Sequence, residues 1–143
     1  MIFNFRNFYA VIFSLFILQC GFNDDEDTSP RNPQPEYTEK SPGEWEEIKE
    51  MHIPRVHRAI KSNMEKITVH VPLENTSEIH YIEVIGIMDE KRRTLVSKKF
   101  NPDQKVFTVD FPIDPSWNLK NITVYAKCSL HDTWTVDKIN TNR

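Results

Sequence analysis

The sequence predicts an all-β domain of the sandwich class, and three observations favour it. Apolar and polar residues alternate along several segments in the second half of the chain, which is the period-two pattern of half-buried strands. Val, Ile, Thr and aromatic residues recur there, while the chain has only 3 glycines against 9 prolines, a composition that suits strands joined by turns. No segment of helical periodicity separates the predicted strands, which favours a sandwich over a parallel α/β sheet.

The predicted strands follow one another at short intervals. Residues 67–71 alternate cleanly, so that Ile67, Val69 and Val71 face inward and Thr68 and His70 face outward. A longer apolar stretch ends at the charged segment 89–93, which is typical of a hairpin turn. The other strands are predicted at 80–88, 94–97, 106–111, 121–128 and 134–137.

Length and charge set the class of protein. The 143 residues fit one ordinary domain with a short additional segment. The formal net charge of -3 and the absence of a dense Lys/Arg cluster exclude the electrostatic surface that nucleic-acid binding needs. We therefore expect a single domain with no nucleic-acid partner.

Residues 1–20 are predicted to be a signal peptide. One positive charge, Arg6, precedes an apolar run at 8–18 that is short for a membrane span. Cys20 follows this run and resembles the lipidated first residue of a bacterial lipoprotein, although Gln19 stands where a small residue is usual. The alternative is an uncleaved anchor helix. Both interpretations predict an exported protein, periplasmic or on the cell surface, that is anchored to a membrane.

Residues 21–43 are predicted to be a flexible linker. They are acidic and Pro-rich and contain almost no apolar residue to bury. The folded domain is therefore expected at 44–143.

The chain has two cysteines, Cys20 and Cys128. In an oxidising compartment two cysteines usually pair. Because Cys20 either carries lipid or ends a flexible segment, we expect Cys128 to remain a lone thiol, for which metal ligation is a common role.

Three histidines accompany Cys128 as candidate ligands. His131 follows it in the pattern Cys-x-x-His, where a predicted strand ends and the chain turns. His52 and His80 lie at predicted boundaries of strands or loops. Thiolate and imidazole are ligands that suit a transition metal.

These segments together resemble the iron domain of the superoxide reductases, the neelaredoxin and desulfoferrodoxin family. The resemblance covers roughly the last hundred residues and rests on Glu50-Met51-His52-Ile53-Pro54, His80-Tyr81-Ile82-Glu83 and Cys128-Ser129-Leu130-His131-Asp132-Thr133-Trp134. It implies an immunoglobulin-like sandwich of about seven antiparallel strands. It also implies one ferrous ion with four equatorial histidines and one axial cysteine.

Carried over to this chain, the resemblance implies that Cys128 is the axial ligand and that His52, His80 and His131 are three of the equatorial ligands. The fourth family histidine falls on Glu74. The fourth ligand is left open between three candidates: Glu74, His70 and solvent. His57 has no matching role and is expected at the surface.

A second departure lies beside His52. The family has a lysine there that attracts the superoxide anion, and this chain has Met51, with Lys49 or Arg55 as partial substitutes. The preceding Glu50 is retained, and the resemblance implies that it occupies the sixth iron position at rest.

The resemblance implies one-electron reduction of superoxide to hydrogen peroxide at Fe(II), with an unidentified electron donor and a possible homo-oligomer. The alternative is a related module that binds iron, copper or zinc without turnover, since Glu74 and Met51 replace the family's histidine and lysine. A third hypothesis is an adhesive sandwich without metal, in which Cys128 is simply buried.

Overall fold

The computed structural model describes residues 35–61, 64–137 and 139. The predicted signal peptide, with Cys20, and most of the predicted linker lie outside them. No helix in these ranges is long and apolar enough to cross a membrane. The described helices are a 3₁₀ helix (Gly43–Ile48) and α1 (Lys49–His52), and the strands are β1 (Glu36–Tyr37), β2 (Arg55–Lys61), β3 (Met64–Val71), β4 (Ile82–Met88), β5 (Thr94–Lys99), β6 (Phe107–Pro112), β7 (Thr123–Cys128) and β8 (Thr133–Val136).

The strands form two sheets. One has five strands in the order β1-β8-β7-β4-β5, and the other has three in the order β2-β3-β6. All neighbours are antiparallel except β1 and β8, which are parallel. This arrangement confirms the predicted all-β sandwich, with eight strands in the described residues rather than about seven.

One hydrophobic core joins the two sheets. Ile67, Val69 and Val71 of β3 are buried, which confirms the predicted inward face of that strand. They belong to the same cluster as the inward residues of β7, Val124 and Ala126, in the opposite sheet. Full burial of each such aliphatic side chain stabilises the fold by about 1.5–3 kcal/mol.

The start of β4 carries a β-bulge that matters for the site. Its register with β7 shifts between Ile82 and Val84. In a regular strand Ile82 and Ile85 lie on opposite faces, because side chains alternate. The bulge adds the extra residue that lets both point into the core, where both are fully buried. Ile82 is thereby held opposite Cys128.

The structure differs from the sequence prediction in several places. β2 was not predicted, and it pairs with β3 from Arg55 to Lys61. The short helices were not predicted either. β4 begins at Ile82 instead of residue 80, and His80 forms an isolated bridge with Ser77.

β1 lies inside the range 21–43, which composition predicts to be a linker. It pairs with β8, and the ring of Tyr37 contacts that of Trp134 at 5.6 Å between centroids. This end of the range therefore contacts the folded domain through both backbone pairing and an aromatic side chain.

Candidate metal centre

Four potential metal ligands converge at one end of the sandwich. His52, His80, Cys128 and His131 each offer one ligand atom, and all four atoms lie within 4.8 Å of one another. His52 and Cys128 are buried, whereas His80 and His131 are half-buried. The cluster therefore has a protein-covered side and a side that solvent reaches.

Strand pairing brings Cys128 and His80 together. Cys128 ends β7 and pairs with Ile82, and His80 lies just before β4. Ser129 then ties the two segments. Its N–H donates to the carbonyl of Tyr81 (3.0 Å), and its Oγ accepts from the N–H of Tyr81 (3.0 Å) and donates to the carbonyl of Ile79 (2.9 Å).

A tight turn brings His131 back towards Cys128. The N–H of Cys128 donates to the carbonyl of Asp132 at 2.9 Å. Asp132 has a φ of 57°, in the left-handed region that Asp tolerates better than most residues. Trp134 Nε1 donates to the carbonyl of His131 at 3.1 Å, which fixes the turn against the core.

His52 is the last residue of α1, and its orientation follows from one hydrogen bond. Its Nδ1 lies 2.9 Å from the carbonyl oxygen of Ile48. A carbonyl only accepts, so Nδ1 carries the proton and Nε2 presents its lone pair. That Nε2 lies 2.8 Å from His131 Nδ1 and 3.3 Å from His80 Nε2. Such an outer hydrogen bond is typical of metal-ligating histidines.

The distances fit a metal ion. Two ligands that are bonded at about 2.1 Å and at right angles lie about 3.0 Å apart, and opposite ligands lie about 4.2 Å apart. The two imidazole separations of 2.8 and 3.3 Å match the first value. Cys128 Sγ lies 3.8 Å from His131 Nδ1, within the same range for a longer metal–sulfur bond.

Burial favours the neutral form of two of the imidazoles. Desolvation is the main cause that lowers the pKa of His52 to about 4, and the neighbouring His131 and His80 add to it. Desolvation likewise lowers the pKa of His131, with His80 contributing. Neutral imidazole is the form that binds metal.

Burial has the opposite consequence for the thiol. It raises the pKa of Cys128 above its usual value, and the carboxylate of Glu83 adds to the effect. A bound cation reverses this, because a coordinating thiol is deprotonated.

Two tryptophans enclose the histidines. The ring of Trp134 stacks on His52 at 5.7 Å between centroids. The ring of Trp45, from the 3₁₀ helix, lies 4.8 Å from that of His131. Sequence reasoning missed the contributions of Trp45, Ser129 and the Ile48 carbonyl. Of these three, only Trp45 could have been suspected from the sequence, because it is an aromatic residue close to His52 in the chain.

The other predicted site residues lie outside the cluster of four. Glu74 and Glu50 are exposed, and their roles stay predictions. His70 Nδ1 contacts Thr108 Oγ1 at 2.8 Å on the outer side of β3, and His57 is exposed on β2.

The two cations considered as substitutes for the family lysine differ in their surroundings. Lys49 Nζ bonds the carboxylate of Glu46 at 2.6 Å. Arg55 is exposed and lines a cleft of about 300 Å³ together with Glu39 and Glu50. Lys49 is thus paired with a carboxylate and Arg55 shares its cleft with two, and nearby negative charge reduces the attraction that a cation offers to an anion.

Comparisons with known proteins identify the family of this chain. The sequence model of the desulfoferrodoxin family matches residues 44–137. A comparison with curated proteins finds no significant match. A similar solved structure is the superoxide reductase (neelaredoxin) from Ignicoccus hospitalis, at 19% identity and a TM-score of 0.51, covering 70% of this chain and 88% of that one. Another is the superoxide reductase (1Fe-SOR) from Giardia intestinalis, at 22% identity and a TM-score of 0.46, covering 61% and 95%. The first of these supports a shared fold.

Proposed function

This chain belongs to the desulfoferrodoxin family, and from that premise we propose that it reduces superoxide to hydrogen peroxide at its His/Cys cluster. The cluster is a mononuclear non-haem iron centre, as the family and the donor set together indicate. The observation that supports the function best is the convergence of one thiol and three imidazoles within 4.8 Å.

The iron would be held by Cys128 Sγ, His52 Nε2, His80 Nε2 and His131 Nδ1. When bound, Fe(II) would supply the one electron that, with two protons, turns superoxide into hydrogen peroxide. The thiolate of Cys128 would donate electron density to the bound metal.

The rest of the site holds this donor set in place. The Ile48 carbonyl keeps the proton of His52 on Nδ1, so that Nε2 stays free to ligate. Trp134 covers the buried His52 and excludes water from that side. His80 and His131 are half-buried, and we infer that substrate approaches on their side.

The fourth equatorial place is proposed to belong to Glu74 or solvent. His70 is the less favoured candidate, because its ring bonds Thr108 on the outer side of β3. Glu50 lies two residues before His52 in α1, and we propose that its exposed carboxylate occupies the sixth position at rest.

The test is superoxide consumption by the full chain after iron loading and reduction. We expect about one superoxide consumed per reduced iron, with hydrogen peroxide formed and no oxygen released. The variant Cys128→Ala should lose this reaction, and His57→Ala, a histidine outside the cluster, should retain it. Full activity in Cys128→Ala contradicts the proposal.

A metal-binding module without turnover is the second candidate. It is favoured by Met51 in place of the family lysine, by the pairing of Lys49 with Glu46, and by the exposed Glu74. For this function we expect the same metal stoichiometry but no superoxide consumption by the reduced protein.

Export and membrane anchoring are a separate proposal, supported by the sequence of residues 1–20. We propose a membrane-anchored lipoprotein that is periplasmic or on the cell surface, with an extracytoplasmic electron donor. Labelling of cells with a radioactive fatty acid should mark the wild-type chain and not the variant Cys20→Ala. Equal labelling of the two chains contradicts lipidation at this residue.

A further inference from the structure

Trp45 holds a buried donor beside the iron centre. Its Nε1 is shielded from solvent and has no hydrogen-bond partner, which is true of no other buried side-chain nitrogen or oxygen in the residues that the structure describes. The indole ring lies 4.8 Å from His131. The 3₁₀ helix is kinked at Trp45, and the turn before it is closed by the Trp45 N–H and the Pro42 carbonyl at 3.0 Å.

An unpaired buried donor is costly. The indole N–H only donates, and leaving such a group buried without an acceptor costs about 1–3 kcal/mol. The second tryptophan of the site avoids this cost, because Trp134 Nε1 donates to the carbonyl of His131. The two indoles therefore differ in one respect: the chain supplies an acceptor to Trp134 and none to Trp45.

The chemistry of the centre indicates which acceptor completes Trp45. Counting only the four residues of the cluster, three neutral imidazoles and one thiolate would leave a bound ferrous or ferric ion with net positive charge, which attracts anions. The nearby cation Lys49 is engaged with Glu46. Met51 offers no donor on its side chain, whereas the Trp45 ring, which lies beside that of His131, carries an N–H without an acceptor.

We propose that the Trp45 indole N–H donates a hydrogen bond to the small anion that binds at the iron centre, superoxide in the reaction and azide as a probe. This assignment rests on the proposed function for the identity of the substrate. The assignment of Trp45 as the donor rests on the burial of its N–H and on its position beside His131. Trp45 is then a residue that touches and positions the anion, and a charge-assisted hydrogen bond of this kind is stronger than a neutral one.

Azide binding tests the proposal without superoxide turnover. The full chain is loaded with iron, oxidised to the ferric state and titrated with azide, and binding is followed by absorbance. Trp45→Phe keeps an aromatic ring and removes the N–H. We expect it to bind azide about 10- to 100-fold more weakly, the range for a hydrogen bond to a charged group, with unchanged iron stoichiometry.

Two further variants separate donation from packing. Trp117→Phe removes an indole N–H from a half-buried tryptophan that lines a different cleft, with Asn118 and Asn121, and azide affinity should stay at the wild-type value. Trp45→Leu removes both ring and N–H. If only packing matters, Trp45→Phe binds azide as the wild type does and Trp45→Leu alone is weakened, which overturns the proposal.

The outcomes for anion binding and for catalysis are independent. Weaker azide binding in Trp45→Phe supports the inference even when the reduced wild type consumes no superoxide, a result that contradicts only the proposed function. Equal azide affinities in the wild type and Trp45→Phe overturn the inference whatever the turnover. Failure of the iron-loaded wild type to bind azide also overturns it.

Discussion

Ser129 joins the two segments that carry three of the four metal ligands. Its hydroxyl accepts from the N–H of Tyr81 and donates to the carbonyl of Ile79, at 3.0 and 2.9 Å. The variant Ser129→Ala removes both bonds and the 3.2 Å contact of the hydroxyl with the Tyr81 carbonyl, but it keeps the backbone bond from the Ser129 N–H to that carbonyl. The fold is therefore expected to survive, with His80 held less firmly against Cys128.

The magnitude follows from the bonds that are lost. Each hydrogen bond contributes about 0.5–1.5 kcal/mol net, and the half-buried N–H of Tyr81 loses its acceptor. We expect the free energy of unfolding of the metal-free protein to fall by roughly 2 kcal/mol. Loss of a group that orients metal ligands typically weakens metal affinity by about 10- to 100-fold, and we expect a value in this range.

Urea unfolding and competition with a metal chelator measure these two quantities. Ser97→Ala is the matched control, because Ser97 is exposed on β5 and far in sequence from the ligands. Its unfolding free energy should stay within about 0.5 kcal/mol of the wild type. If Ser129→Ala matches Ser97→Ala in both measurements, the hydroxyl does not hold the centre together and the reasoning is refuted.

Three further predictions concern stability. Ile67→Ala, at a side chain that is 0% exposed, should lower the free energy of unfolding by about 2–5 kcal/mol, whereas Ile60→Ala, at 69% exposure, should change it by less than about 0.5 kcal/mol in the same urea titration. Gly43→Ala should destabilise by about 1–2 kcal/mol, because Gly43 has a φ of 60° and an added Cβ lies 2.7 Å from the ring of Tyr37; an unchanged urea midpoint contradicts this. In metal-free protein, His52 has a pKa of about 4 when folded against 6.5 as its ordinary value. Below that ordinary value the unfolded chain binds the proton first, so stability is complete above about pH 6.5 and declines as the pH falls to about 4, by up to roughly 3 kcal/mol. Unfolding curves at several pH values should show this loss, and an equal loss in His52→Gln assigns it to other groups.

Much of the fold can be predicted from the local sequence pattern. The alternation at 67–71 predicts the buried face of β3, since a strand with one face in the core must place apolar residues at every second position. β2 lacks that pattern. Ile60 is exposed and Val56 is half-buried, because this edge strand is held by pairing with β3 instead of by burial. The helices around Trp45 are too short to form on their own propensity and depend on tertiary contacts.

The sequence by itself determined the class of fold and the chemistry of the ligands. One unpaired thiol and three histidines in family-like segments can be recognised from residue types and their spacing alone. Only the tertiary structure decided which atoms meet, since His52 and His131 are 79 positions apart in the chain and lie 2.8 Å apart in space. It also decided that His52 presents Nε2 and that Trp45 holds a donor without a partner. Both facts depend on whether the fold places a carbonyl oxygen beside a buried ring nitrogen. It does so for His52 and not for Trp45, and the local sequence does not encode that placement.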